Sequence, residues 1–176
     1  AQSTQDSELP SGLQVGTGVR IVGTQKNFTA GSLQTTEQPL DLAVNGRGFF
    51  QIMQPDGTTA STRDGTFHLD SNGQMVTANG FALEPAVIVP ADAKTFTVGN
   101  DGTVSITVAG NSATQVIGNL QTADFINPAG LQAIGNNLFL ETASSGAPQV
   151  GTPGLNGFGT TLQRALETSN VSTVEE

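Results

Sequence analysis

Residues 40–80 read LDLAVNGRGFFQIMQPDGTTASTRDGTFHLDSNGQMVTANG. Asn45-Gly46, Asp56-Gly57, Asp64-Gly65, Asn72-Gly73 and Asn79-Gly80, followed by Asp101-Gly102, are dipeptides that reach positive φ at little cost. Their spacing predicts tight hairpin turns joined by short strands. Leu40/Leu42/Val44, Phe67/Leu69, Phe96/Val98 and Val104/Ile106/Val108 repeat at period two, which buries one face of a sheet and leaves Asp, Thr, Ser and Asn on the other. Val87-Ile88-Val89 is a continuous apolar run that predicts a central strand ended by Pro90. The expected fold is mainly β: antiparallel meandering sheets forming a complex β-sandwich or partly closed barrel, with little helix.

Outward from this stretch the pattern weakens. Residues 1–12 are polar, close on Pro10-Ser11-Gly12 and hold one large apolar residue, Leu9, so they read as an extended arm. Leu13 to Phe28 mixes β-branched residues with Gly and has no helical period. Thr114 to Phe125 resumes the strand pattern, Asn127-Pro128-Ala129-Gly130 breaks it, and Leu131 to Ile134 reads as a single helical turn. Asn137 to Glu141 is a last strand, and residues 143–161, rich in Gly, Ser, Pro and Thr, read as a loop. Ser172-Thr173-Val174-Glu175 matches a capping box and predicts the start of a helix cut short at Glu176. The expected division is an arm over 1–20, a β domain over 21–142, and a returning loop with the start of a truncated helix over 143–176. Ala1 in place of Met fits a piece of a longer chain.

Composition excludes several classes. The chain has 176 residues, 36% of them hydrophobic and 12% charged, with 22 Gly and no Trp or Tyr. Val and Thr suit a pleated surface, whereas Gly and Asn cost helix stability. Net charge is −9, and the six cations Arg20, Lys26, Arg47, Arg63, Lys94 and Arg164 are scattered. Nucleic acid needs a cationic stripe and an anionic bilayer a basic patch, so neither is an expected partner. With no Cys there are no disulfides, iron–sulfur clusters or thiolate zinc sites. No apolar run approaches the ~20 residues of a membrane-spanning helix, so membrane insertion is not expected.

Catalytic chemistry is poorly supplied. The single His68 lies between Phe67 and Leu69 with its side chain facing the other way, and no G-x-S-x-G elbow accompanies it. Asp70-Ser71-Asn72-Gly73 opens like a calcium loop, but its Gly comes too early and no acid follows at the required distance, so it reads as a hairpin turn. Asp41, Asp56, Asp64 and Asp70 are the candidates for a glycosidase pair, yet aromatic platforms for sugar are nearly absent. Gly46-Arg47-Gly48 and Gly16-Thr17-Gly18 do not run into helices, as phosphate cradles must. No enzyme, metal or cofactor is expected.

Three ordered segments carry a resemblance: Asn45-Gly46-Arg47-Gly48-Phe49-Phe50, Thr62-Arg63-Asp64-Gly65-Thr66-Phe67 and Asn72-Gly73-Gln74-Met75-Val76-Thr77. Together they resemble the run shared by rod and hook proteins of the bacterial flagellar axial structure. Ser144 to Pro148, Thr152-Pro153-Gly154 and Leu166-Glu167-Thr168-Ser169-Asn170-Val171 extend the likeness over nearly the whole chain. Leu9 to Arg20 looks like the segment typical of distal-rod subunits. Ser61, where the family usually has Tyr, and Leu162-Gln163-Arg164-Ala165, without the usual Gln-Gly pattern, depart from it. The resemblance implies a structural subunit, exported and located in the basal body across the periplasm. There it would stack helically into a hollow shaft that passes torque from motor to hook. Implied partners are further copies of itself, other rod and hook proteins, and the surrounding ring proteins. Long terminal helices of the family are not in this sequence, so the isolated chain is expected to be monomeric. Leu9, Pro10, Ser11, Gly12, Leu13 and Gln14 are the expected contact residues of the arm. Asn45, Gly46, Gly48, Phe49, Phe50, Thr62, Arg63, Asp64, Gly65, Phe67, Ser169, Asn170 and Val171 are expected to serve the fold. The alternatives are a hook or proximal-rod subunit, or a carbohydrate-binding or phage-tail β-module.

Overall fold

The computed structural model describes residues 24–27, 31–168 and 172–175; Leu9 to Gln14 of the arm and Ser169, Asn170 and Val171 lie outside the described residues. In chain order the strands are β1 (Thr24–Asn27), β2 (Leu33–Thr35), β3 (Leu42–Asn45), β4 (Phe50–Met53), β5 (Thr59–Thr62) and β6 (His68–Leu69). Next come β7 (Met75–Val76), β8 (Ala82–Glu84), β9 (Ala93–Val98), β10 (Thr103–Val108), β11 (Asn111–Asn119) and β12 (Thr122–Asp124). A 3-10 turn, Pro128–Gly130, precedes β13 (Gln132–Gly135), β14 (Leu138–Leu140), β15 (Gln149–Gly151), β16 (Thr160–Gln163), β17 (Ala165–Glu167) and β18 (Ser172–Glu175).

The chain divides into two compact units, one of residues 30–168 and one of 1–29 with 169–176. In the smaller unit β1 and β18 pair antiparallel, Thr24 opposite Glu175. The capping-box match is therefore corrected: Ser172–Glu175 is a strand. Thr173 and Val174 are β-branched, and the ladder with β1 gives the backbone its hydrogen bonds.

The larger unit is built on a seven-stranded sheet in the order β13-β14-β5-β4-β8-β7-β6, beside a three-stranded sheet β11-β10-β9 and the antiparallel pairs β12–β15, β16–β3 and β17–β2. The antiparallel β architecture thus follows the turn spacing. Of the six Asn-Gly and Asp-Gly dipeptides between residues 40 and 108, four close hairpins, at Gln54–Thr58, Asp70–Gln74, Thr77–Phe81 and Gly99–Thr103. Asn45-Gly46 and Asp64-Gly65 do not. β3 pairs with β16 while β4 pairs with β5 and β8, so Asn45-Gly46 carries the chain from one sheet to another.

Leu42, Val44, Phe50, Ile52, Phe67, Met75, Leu83, Val87, Val98, Val104 and Leu120 form the main core. Phe50 and Phe67 meet edge to face at 5.3 Å. Their neighbour Phe49 points the opposite way, onto Phe125 at 5.6 Å and Phe139 at 6.5 Å. β4 is consequently buried on both faces, where simple alternation predicts one. Alternation also fails at the sheet edge, where Phe67 is buried and Leu69 exposed because β6 is only two residues long. Val87-Ile88-Val89 is no central strand: Ile88 is exposed between two buried valines, joined to the sheet through one bridge to Gln74.

The helical turn falls at Pro128–Gly130 rather than Leu131–Ile134, since Pro128 can open a helical turn without losing a bonded N–H, whereas Leu131 is extended at ψ 149°. The segment expected to be a loop over 143–161 contributes β15 and the start of β16, with Thr161 fully buried. Its glycines permit this close packing instead of marking a free loop.

Candidate functional site around Arg63

Arg63 follows β5 directly, and Thr62 sets its position. The Thr62 hydroxyl donates to the carbonyl of Asn137 at 2.7 Å and accepts the Asp64 amide at 3.0 Å. Asp64 then closes the corner, its Oδ1 accepting the Thr66 amide at 3.1 Å and its Oδ2 the Asn137 side-chain amide at 3.2 Å. A side chain at Gly65 would place Cβ 1.6 Å from the carbonyl oxygen of Leu42, so the corner fits against β3 only with glycine.

The guanidinium of Arg63 is held on all sides. Nε and Nη2 donate to the two carboxylate oxygens of Glu167 at 2.8 and 2.9 Å. Nη1 donates to the carbonyls of Gly46 at 2.7 Å and Gly48 at 2.6 Å, and Nη2 to that of Val44 at 3.2 Å. These five bonds match the five N–H donors of the side chain. Gly46 and Gly48, at φ 124° and 130°, occupy backbone space that disfavours a side chain, and this turns their carbonyls toward Arg63. The Arg63 and Glu167 side chains are 18% and 6% exposed, so the pair is screened little by solvent.

Glu167 ties this centre to the place where the chain enters and leaves the larger unit. Its Oε2 also accepts the Gly31 amide at 2.8 Å, β17 pairs with β2, and the Thr168 amide donates to Ser32 at 2.9 Å. Arg63 therefore holds the outgoing strand against the core through Glu167, and Glu167 with the β17–β2 ladder holds the incoming one.

The structure brings together Asn45, Gly46, Gly48, Thr62, Arg63, Asp64 and Gly65, while Phe49, Phe50 and Phe67 form the aromatic layers beneath. Glu167 was visible only as part of a likeness near the C-terminus, and its role as the partner of Arg63 was missed. Gln163 was missed as well: its side-chain amide donates to Pro39 at 2.9 Å and Phe96 at 2.8 Å and accepts the Val98 amide at 3.1 Å, stitching β16 to β9. Its signal, a Gln where the family pattern differs, pointed only to altered packing.

Elsewhere, His68 is exposed, and Arg47 pairs with Asp124. Asp56 and Asp101 sit in exposed turns with lowered pKa, Asp56 chiefly through the Thr58 hydroxyl and Asp101 chiefly through the Thr103 amide. Among the described residues no three His, Cys, Asp or Glu are grouped as a metal site, and no helix is long and apolar enough to cross a membrane. The arrangement binds protein to protein within one chain; it gathers no acid–base pair.

A family model described as "Flagellar hook protein FlgE/F/G D1 domain" matches residues 43–106, which include the whole Thr62 to Gly65 corner. The chain is 48% identical over 174 residues to the flagellar basal-body rod protein FlgG of Buchnera aphidicola subsp. Schizaphis graminum, covering 99% of this chain and 67% of that protein. The chain belongs to the FlgG family of flagellar basal-body rod proteins. FlgG of Buchnera aphidicola subsp. Acyrthosiphon pisum is 46% identical over 174 residues, again 99% of this chain and 67% of the relative. The likeness of this FlgG-family chain to a hook protein is narrower: FlgE of Helicobacter mustelae is 44% identical over 73 residues, 41% of this chain and 16% of that protein. The near-complete match to FlgG disfavours the hook reading and the carbohydrate-binding or phage-tail module.

Proposed function

We propose that this chain is part of a structural subunit of the distal flagellar rod, stacked helically into a hollow shaft in the basal body that transmits torque to the hook. The observation that carries this is the match to FlgG rod proteins over 99% of the chain. Arg63 supplies a physical reason for that role: a subunit under torque has to move with its connecting strands, and the five-bonded guanidinium holds Glu167 of the outgoing strand, which in turn binds Gly31 and pairs with the incoming one. Copies of itself, neighbouring rod and hook proteins, and surrounding ring proteins are the partners of this reading, and no catalytic activity belongs to it. Residues 1–20, with Leu9 to Gln14 at their centre, act as an arm against adjacent subunits.

Many polar contacts, each weak, suit a heterologous interface that does not close on itself. The 176-residue chain by itself is accordingly monomeric. The test is to tag the full-length protein in its bacterium, purify basal bodies and locate the tag. Rod-length labelling together with loss of motility on gene deletion is the expected result. Labelling outside the basal body, or normal swimming without the gene, would refute the proposal.

A further inference from the structure

The three-stranded sheet is anchored at one end and bare at the other. Val98, Val104 and Ile106 are buried in the larger unit, but every residue from Asn111 to Val116 of β11 is exposed, as are Lys94 and Thr95 of β9. Successive residues of a strand point to opposite faces, so six exposed residues in a row mean that both faces of β11 are open. The isolated fold gains little from this end of the sheet. Val116 is 61% exposed on it.

Charge is distributed to match. The chain carries net charge −9, and copies of it repel one another. From Gly102 to Ala123, all of β10 and β11, there is no charged residue. Lys94, next to this neutral stretch in the same sheet, has no carboxylate partner among the described residues, while Arg47 and Arg63 are paired within the chain. The three strands carry one charged residue, Lys94, with the exposed Asp92 just before β9, and a sheet this poor in acids is where an acidic chain meets an acidic neighbour with least repulsion.

From this geometry, and resting on the rod reading above, we infer that the outer end of the β9–β10–β11 sheet is a contact surface for a second copy of this chain. β11 is an edge strand without Lys, Arg, Asp, Glu or Pro, the residues that usually guard edges. Its ladder with β10 is nevertheless shifted after Val104 and after Ile106. Such irregularities twist an edge and limit regular strand addition. The contact is therefore made by side chains, Thr114, Gln115 and Val116 packing on the neighbour and Lys94 facing its carboxylates. It joins this surface to a different surface of the next copy, as an array that grows without closing requires.

These 176 residues contain no Cys, so a benzophenone maleimide attached to Thr114→Cys in the full-length protein, with any Cys outside them replaced by Ser, reports from one place. Illumination of purified basal bodies is expected to yield a covalent dimer of this protein. Val116→Glu and Lys94→Glu are each expected to shrink swimming rings at least threefold, while the melting temperature of the 176-residue chain stays within the error of the measurement. If either variant lowers that temperature, the cross-link alone decides. Cross-linking only to another protein, no cross-link in assembled basal bodies, or parental swimming by both folded variants would overturn the contact while leaving the rod reading intact. Absence of the unsubstituted protein from basal bodies would overturn both.

Discussion

Two regions of the larger unit treat polar groups in opposite ways. Around Arg63, carbonyls of Val44, Gly46 and Gly48 and the carboxylate of Glu167 converge on one guanidinium that is largely withdrawn from water. Along β11, Asn111 to Val116 leave side chains exposed on both faces of the strand. The first region contains two of the three ordered segments that carry the likeness to the flagellar axial family, residues 45–50 and 62–67, whereas the second contains none of them. The contrast teaches that the shared motif builds a rigid body, and that a surface for neighbours lies where sequence is free of that duty.

The contrast is broken most severely at the corner next to Arg63. Gly65→Ala places a methyl group against the Leu42 carbonyl, and it is expected to cost at least about 4 kcal/mol or to prevent folding, read by urea denaturation. Arg63→Ala leaves Glu167 buried without its cation and should lower stability by about 3–5 kcal/mol in the same assay. Arg63→Lys keeps the charge but loses the planar fork and should recover only part of that loss. Equal stability of the Lys variant and the parent would mean that the five bonds do not act as a unit.

A gain is expected at Thr122. Its hydroxyl is fully buried and has no hydrogen-bond partner among the described residues, so Thr122→Val should raise stability by about 1 kcal/mol, visible as a higher urea midpoint with an unchanged slope. Val116→Lys should change the stability of the 176-residue chain by less than about 0.5 kcal/mol, since the side chain is 61% exposed. A loss comparable to that of Arg63→Ala would erase the distinction between the two regions.

The smallest effect is confined to acid. The pKa of Asp56 is lowered from 3.8, first by the Thr58 hydroxyl and then by the Thr58 amide. A depressed carboxylate contributes stability that is fully present above its unfolded value and disappears as pH falls through the folded value. Asp56→Asn should therefore match the parent's pH dependence at neutral pH and show a slightly shallower loss below pH 3.8, measured by thermal melts across the acid range.

Much of this molecule was legible in its sequence because turn chemistry and alternation are local. Asp56-Gly57, Asn72-Gly73, Asn79-Gly80 and Asp101-Gly102 lie at the hairpins their backbone preferences require. Those preferences determined a β protein of short antiparallel strands. Tertiary structure alone decided that Asn45-Gly46 crosses between sheets, that β4 is buried on both sides, and that Ser172–Glu175 is a strand. It also decided the partner of Arg63, since Glu167 lies 104 residues away along the chain. Neighbouring residues fix φ and the direction of a side chain. Which distant carboxylate meets a guanidinium depends on how the sheets pack, because only packing excludes the water that would otherwise satisfy both charges.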